Sequence, residues 1–310
     1  MKIFAPATIG NFSVGFDLLG LAIQPVDGTL LGDIIEITET DKNGLTLGGD
    51  FHAQLPATED NLVTKAHQLF EQELNQDDII PCHLYLEKNL PIGSGLGSSS
   101  ASIIATLTAL NHKYGLPFSA HKLLEMAGRL EGDVSGSIHY DNVAPALLGG
   151  LQLMTAHEEY PSTAIPIPED WFIVIAHPGI RINTAEARAI LPTEIPLKTC
   201  IRFAQNLTAF VDCMHKEDPD RAAEFLFDVI AEPHRMRLIP GFEGFRDFAR
   251  TVGAIGTGIS GSGPTVFAVC TEEDIANRIA ENASSHFCQG HGFAHVCLPD
   301  FIGARIIHVD

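Results

Sequence analysis

The residues of this chain with the clearest chemical potential are a run of small ones. Pro91, Ile92, Gly93, Ser94, Gly95, Leu96, Gly97, Ser98, Ser99, Ser100 and Ala101 place three glycines at alternate positions directly before an apolar, helix-forming stretch. Glycine tolerates positive φ and lets backbone approach a ligand closely. A helix start adds unpaired N–H groups and a partial positive charge of about half a unit. The segment therefore reads as a cradle for a polyphosphate, with an ordinary serine-capped turn as the bland alternative. The hydroxyls of Ser98, Ser99 and Ser100 could donate to phosphate or ligate Mg²⁺, a hard ion that favours oxygen. A Walker A loop is excluded because no Lys stands at its end. The Rossmann pattern fails at Ser98, where a glycine is required, and a nucleophile elbow built on Ser99 fails at Ala101.

A second glycine-rich stretch, Gly256-Thr-Gly-Ile-Ser-Gly-Ser-Gly-Pro264, precedes a β-type run. It reads either as a flexible connector or as a second anion-friendly backbone nest closing over the same phosphates.

The elements that must position these loops follow from periodicity. Ile34–Thr38 alternates, and Cys82–Leu86 is a second short strand. Asp60 can N-cap a helix whose apolar residues Leu62, Val63, Ala66, Leu69 and Phe70 share one face. After the glycine loop, Ile103, Ile104, Leu107 and Leu110 mark another helical stripe ending at Gly115, and Ser119 opens a third helix towards Gly132. Pro161, Pro166 and Pro168 suggest a boundary between Tyr160 and Asp170. Beyond it the pattern predicts a buried strand over 171–176, helices near 199–215, 220–231 and 243–252, a strand over 265–270 and a final helix–strand pair. Strands and helices mixed in both halves argue for two α+β domains.

Composition limits the partners. With 19 Lys plus Arg against 39 Asp plus Glu, the net charge of −20 disfavours nucleic acid and anionic membrane surfaces. A small anionic substrate stays compatible, because contacts inside a closed site escape the screening and field of distant charges. The six cysteines form no C-x-x-C pair and read as buried, reduced thiols of a cytoplasmic protein. The 14 histidines show no metal-ligand spacing. No apolar signal core opens the chain, and no stretch approaches a membrane span.

Pro91-x-x-x-Gly95-Leu-Gly-Ser-Ser-x-Ala101 resembles the signature of the GHMP kinases. Pro6-Ala-Thr-Ile-Gly-Asn11-Phe-Ser-Val-Gly-Phe-Asp17 and Gly256–Pro264 resemble two further motifs of that superfamily, in the expected order. Within it, Gly15–Ala22, His139–Pro145, Ala187–Pro192 and Glu232–Gly241 are most similar to the homoserine kinase branch. The resemblance implies a two-domain GHMP kinase fold, with a ribosomal-S5-domain-2-like N-terminal domain over 1–165, a ferredoxin-like C-terminal domain over 166–310 and the site between them. It implies ATP and Mg²⁺ as cofactors and L-homoserine as a small-molecule substrate phosphorylated in threonine biosynthesis, and it is compatible with a homodimer.

The resemblance also distributes roles. Residues 91–101 would bind ATP, and Ser99 and Glu131 would hold Mg²⁺. Glu131 falls near a predicted helix C-terminus, where a lone carboxylate is unfavourable and a bound cation would relieve it. Arg188 and Arg235 would grip the substrate carboxylate, a task that suits a guanidinium fork. Asn11, His139 and Asn142 would complete recognition, and Asp17 would accept a hydrogen bond from the reacting hydroxyl. Asp141 is either a catalytic base or a structural residue capping a turn before Pro145. The competing functions are a GHMP kinase for another small alcohol such as mevalonate, a non-catalytic nucleotide-binding protein, and, more remotely, a serine hydrolase.

Overall fold

The structure, a computed structural model, describes residues 1–56, 60–74, 79–135, 138–288, 290 and 292–308. The first half contains β1 (Lys2–Pro6), β2 (Thr8–Gly10), β3 (Leu19–Pro25), β4 (Gly32–Glu39), β5 (Gly44–Gly48), α1 (Leu62–Leu74), β6 (Cys82–Glu87), α2 (Ser98–Lys113), α3 (Ala120–Ser135), α4 (Val143–Leu148), β7 (Leu151–His157) and β8 (Tyr160–Ile165). The second contains β9 (Phe172–His177), α5 (Thr184–Ala189), α6 (Leu197–His215), α7 (Pro219–Ala223), α8 (Glu232–Arg235), α9 (Phe242–Val252), β10 (Gly256–Ile259), β11 (Val266–Cys270), α10 (Glu273–His286), β12 (Phe293–Pro299) and β13 (Arg305–Ile307).

Two sheets carry the fold. One runs β13-β1-β4-β6-β5, and the other β10-β11-β9-β12-β3-β7-β8 with β2 paired to β3. Within the second sheet, β9, β10, β11 and β12 with their helices reproduce the β-α-β-β-α-β ferredoxin-like order. Strands from both halves share this sheet, since β12 pairs with β3 through Leu298 opposite Gln24. Strand β13 returns to β1 with Lys2 opposite Ile307. Two large cores result. One surrounds α2 and both flanking sheets; the other packs α9 and α10 on β9–β11 through Phe242, Phe245, Ile279 and Val266.

Several sequence expectations shift in the structure. Helix α1 is capped by Asn61, whose Oδ1 accepts from Val63 N at 3.0 Å, not by Asp60. Helix α2 is buried on every side from Ser100 to Asn111, not along one stripe, because it lies between α1, α3 and the first sheet. The third helix runs past Gly132 to Ser135. Pro161 lies inside β8, an edge strand with an irregular register opposite β7, where a missing N–H is tolerated. The helix expected over 220–231 stops at Ala223, because Asp228 turns the chain by accepting from Ile230, Ala231 and Glu232 N–H groups. Residues 256–259 form strand β10, so only the turn 260–265 remains as loop. Cys200 is exposed, unlike the other five cysteines. Among the described residues, no helix is long and apolar enough to cross a membrane.

Candidate active site

The glycine run folds as the spacing requires. Gly93, Gly95 and Gly97 have φ of 68°, 81° and 65°, the left-handed region that only glycine enters freely. A Cβ on Gly95 would sit 2.3 Å from the Ser260 carbonyl oxygen, and one on Gly97 2.1 Å from Thr8 Oγ1. The turn before β11 is the cause of the first close approach. Ser260 Oγ donates to Gly95 O at 2.6 Å, Thr265 N to Ser94 O at 3.1 Å, and Gly261 N to Gly10 O at 2.8 Å. The two glycine segments, distant in sequence, thus brace each other. Gly97 precedes α2 without any side-chain cap, leaving the first-turn amides of α2 for a ligand.

A cleft of about 450 Å³ opens over this loop. Gly93, Ser94, Gly95, Gly97, Ser98, Ser99 and Ser100 line it, as do Asn11, Asp17, Glu131, His139, Asp141, Asn142, Arg188 and Arg235. All the polar site candidates therefore meet in one place. Leu96 and Ala101 are fully buried instead, as packing supports of the loop.

The electrostatics of the cleft are set by burial. Ser99 Oγ donates to Glu131 Oε1 at 3.0 Å, and burial raises the Glu131 pKa against that bond and the Lys88 charge. Asp141 is buried and its pKa is pushed up to about 7, first by desolvation and then by the charges of Asp17 and Glu131. Gly10 leaves room for it, since a Cβ there would lie 2.4 Å from Asp141 Oδ2. His139 has its pKa lowered, chiefly by burial, although Asp17 opposes this with Oδ1 4.0 Å from Nδ1.

The residues expected at the substrate are held in contacts that no motif announces. Arg188 grips Asp17 with both prongs, at 3.0 and 2.6 Å. Asp17 has a φ of 57° and is held there by its N–H donating to Asn11 Oδ1 at 2.7 Å; Asn11 itself has a φ of 55°. Arg235 is buried, donating to Ala187 O at 3.2 Å and Gly261 O at 2.8 Å. Burial lowers its pKa, and Asp17 and Asp228 oppose the shift. Asn142 Oδ1 accepts from Thr8 Oγ1 at 2.8 Å, tying the segment before α4 to β2.

Comparison with known proteins fits this geometry. Residues 61–150 match the family model for the GHMP kinases N-terminal domain, and residues 210–288 match that for the GHMP kinases C-terminal domain. A solved homoserine kinase from Cytophaga hutchinsonii ATCC 33406 is 33% identical with a TM-score of 0.90, covering 99% of this chain and 97% of that one. The chain belongs to the GHMP kinase family. Two mevalonate kinases share the fold at lower identity. One is the L. major enzyme in complex with R-mevalonate (18%, TM-score 0.71, 97% of this chain and 96% of that one). The other is from Methanococcus jannaschii (15%, TM-score 0.70, 96% and 98%).

Among the described residues no cluster of three His, Cys, Asp or Glu side chains could hold a metal alone. Ser99 and Glu131 offer adjoining oxygen donors beside the glycine loop. Two protein oxygens plus phosphate oxygens suit Mg²⁺, which keeps few protein ligands.

One element of this GHMP kinase was not visible in the sequence. Lys88, fully buried, pairs with buried Asp33 and donates to Ser98 O at 2.6 Å and Ser102 Oγ at 3.0 Å. Asp33 also accepts from Asn89 N and Leu90 N, so β4, the end of β6 and the first turn of α2 are pinned together. A lysine and an aspartate 55 positions apart give no local signal.

Proposed function

We propose that this GHMP kinase transfers the ATP γ-phosphoryl group to the side-chain hydroxyl of L-homoserine, giving O-phospho-L-homoserine. The observation that carries the reading is the placement of Arg188, Arg235 and Asp17 opposite the glycine loop in one cleft. An amino acid needs donors for its carboxylate and acceptors for its ammonium and hydroxyl, and this wall offers both. The likeness to the Cytophaga homoserine kinase over nearly the full chain supports the same substrate. The proposal includes a role in threonine biosynthesis in the cytoplasm and a division into domains 1–165 and 166–310.

In this reading residues 91–101 form the ATP site, with the free backbone amides of the glycine loop and of the start of α2 at the phosphates, and Ser99 with Glu131 hold Mg²⁺. The ion, when bound, supplies positive charge that neutralises phosphate oxygens. Arg188 and Arg235 bind the substrate carboxylate, while Asn11, His139 and Asn142 orient the rest. Asp17 keeps lone pairs beyond those used by Arg188 and accepts from the hydroxyl. As the hydroxyl oxygen bonds to the γ-phosphorus, the bond to the bridging oxygen of ADP breaks. The hydroxyl proton passes to Asp141, whose pKa of about 7 suits a base at neutral pH. Catalysis is mainly positioning and charge stabilisation.

A panel of small alcohols with ATP and Mg²⁺, read by ADP release, tests the assignment. Homoserine is expected to outpace mevalonate, which has a carboxylate but no amino group. Faster mevalonate turnover would overturn the substrate, and ATP binding without any turnover would overturn the kinase reading.

A further inference from the structure

Residues 91–101 contain no Lys or Arg, yet they face a polyphosphate in a chain of charge −20 whose cleft also holds Glu131 and Asp141. Of the five Lys and Arg side chains that line the cleft, three are engaged, and Lys65 and Arg181 have no ion-pair partner among the described residues. Lys88 is neutralised by Asp33, Arg188 by Asp17, and Arg235 donates to backbone carbonyls. Of Lys65 and Arg181, Arg181 is the one whose side chain meets a loop glycine. It lines the cleft, it is exposed, and it has no ion-pair partner among the described residues.

Its position is fixed relative to the loop. A Cβ on Gly93 would lie 2.7 Å from Arg181 Cγ and 3.1 Å from its Nε, so the side chain lies across the first loop glycine. The adjoining Ile182 N donates to Gly93 O at 3.1 Å, which pins this segment of the C-terminal half to the loop. The following residues are braced as well. Asn183 Oδ1 accepts from Ala185 N at 2.8 Å to cap α5, and Thr184 Oγ1 lies 3.4 Å from Ser262 Oγ.

We propose that Arg181 is a further catalytic residue, whose guanidinium contacts the bound polyphosphate and supplies the side-chain cation the loop lacks. The proposal rests on residues 91–101 being the phosphate loop. A guanidinium fork matches phosphate oxygens and stays charged at any working pH. Arg181 forms and breaks no bond; it stabilises negative charge on the phosphate oxygens as the phosphoryl group moves. Because it comes from the opposite half of the chain, it reaches the phosphates only when both halves enclose them.

The test is calorimetric titration of ATP, with no alcohol present, into the wild type, Arg181→Met and Arg181→Lys, followed by steady-state kinetics. Methionine keeps an apolar stem over Gly93 and removes only the charge. ATP affinity is expected to fall roughly tenfold or more in Arg181→Met and to recover in part in Arg181→Lys. The kcat of Arg181→Met is expected to fall on the order of a hundredfold. Wild-type ATP binding with unchanged affinity and turnover in Arg181→Met overturns the role of Arg181 alone. Equal losses in both variants with a lowered Tm assign Arg181 to packing and also overturn it. A wild type that binds no ATP overturns the phosphate-loop reading and this inference with it. None of the binding outcomes depends on which alcohol is the substrate.

Discussion

In the proposed function, the two walls of the cleft meet the same problem, an anionic ligand in an acidic protein, by different means. The phosphate wall is built from backbone: three glycines at positive φ, an uncapped start of α2, and a second glycine turn packed against the first. The opposite wall is built from side chains already partnered with one another, Arg188 with Asp17 and Arg235 with two carbonyls. Backbone amides carry no titratable charge and need no counter-ion, so the first wall can be dry and rigid. Arginines brought close together need carboxylates between them, so the second wall depends on paired charge. The contrast predicts that damage on the phosphate side acts on nucleotide and rate, whereas damage on the other side acts on the alcohol.

The largest expected effect comes from the junction of the two. Glu131→Ala leaves Ser99 without its carboxylate partner and is expected to lower kcat on the order of a thousandfold while raising the Mg²⁺ concentration needed for half-maximal rate. An unchanged Mg²⁺ response would remove Glu131 from the metal site. On the side-chain wall, Arg235→Ala is expected to raise KM for homoserine about a hundredfold, with KM for ATP within about twofold. Equal changes in both constants would erase the division between the walls. On the backbone wall, Gly95→Ala forces a Cβ against Ser260 O in a left-handed conformation, a cost of about 2 kcal/mol or more. Thermal unfolding should register a drop of several degrees, about 2–4 °C per kcal/mol at this size or somewhat less. A Gly95→Ala variant of unchanged Tm would mean the loop is not pinned by the second turn.

A further effect concerns pH. The Asp141 carboxyl, ordinarily near 3.8, is raised to about 7 in the fold, so the folded state favours the protonated acid. Its contribution to stability is complete below about pH 4 and is lost as pH rises through 7. Asp141→Asn should therefore gain in stability relative to the wild type as pH rises from about 4 to about 7, with no further gain above that, as measured by urea unfolding. A pH-independent difference would mean that Asp141 is not held protonated. In kinetics, the rise of kcat/KM through about pH 7 should flatten in the same variant if Asp141 accepts the proton.

The difference between the walls also explains what was legible in the sequence. Positive φ and close backbone approach leave a local mark, so the glycine loop and the helix it opens could be read directly from Gly93–Ala101. The alternation of Ile34–Thr38 and the helical stripe from Leu62 to Phe70 were local for the same reason. The Lys88–Asp33 pair, the grip of Arg188 on Asp17 and the packing of Arg181 on Gly93 join residues far apart in the chain, and nothing in their neighbours specifies the partner. The helix expected over 220–231 was lost to a side-chain event, since periodicity does not reveal that Asp228 captures three backbone N–H groups. The crossing of β12 onto β3 is equally invisible, although it decides how the two halves share a sheet.

Hydrogen exchange of the wild-type protein with and without ATP tests the central claim most directly, because it reads the backbone amides themselves. The account predicts ATP-dependent protection concentrated in residues 93–101. Protection elsewhere, with these amides exchanging at the same rate in both states, would contradict it.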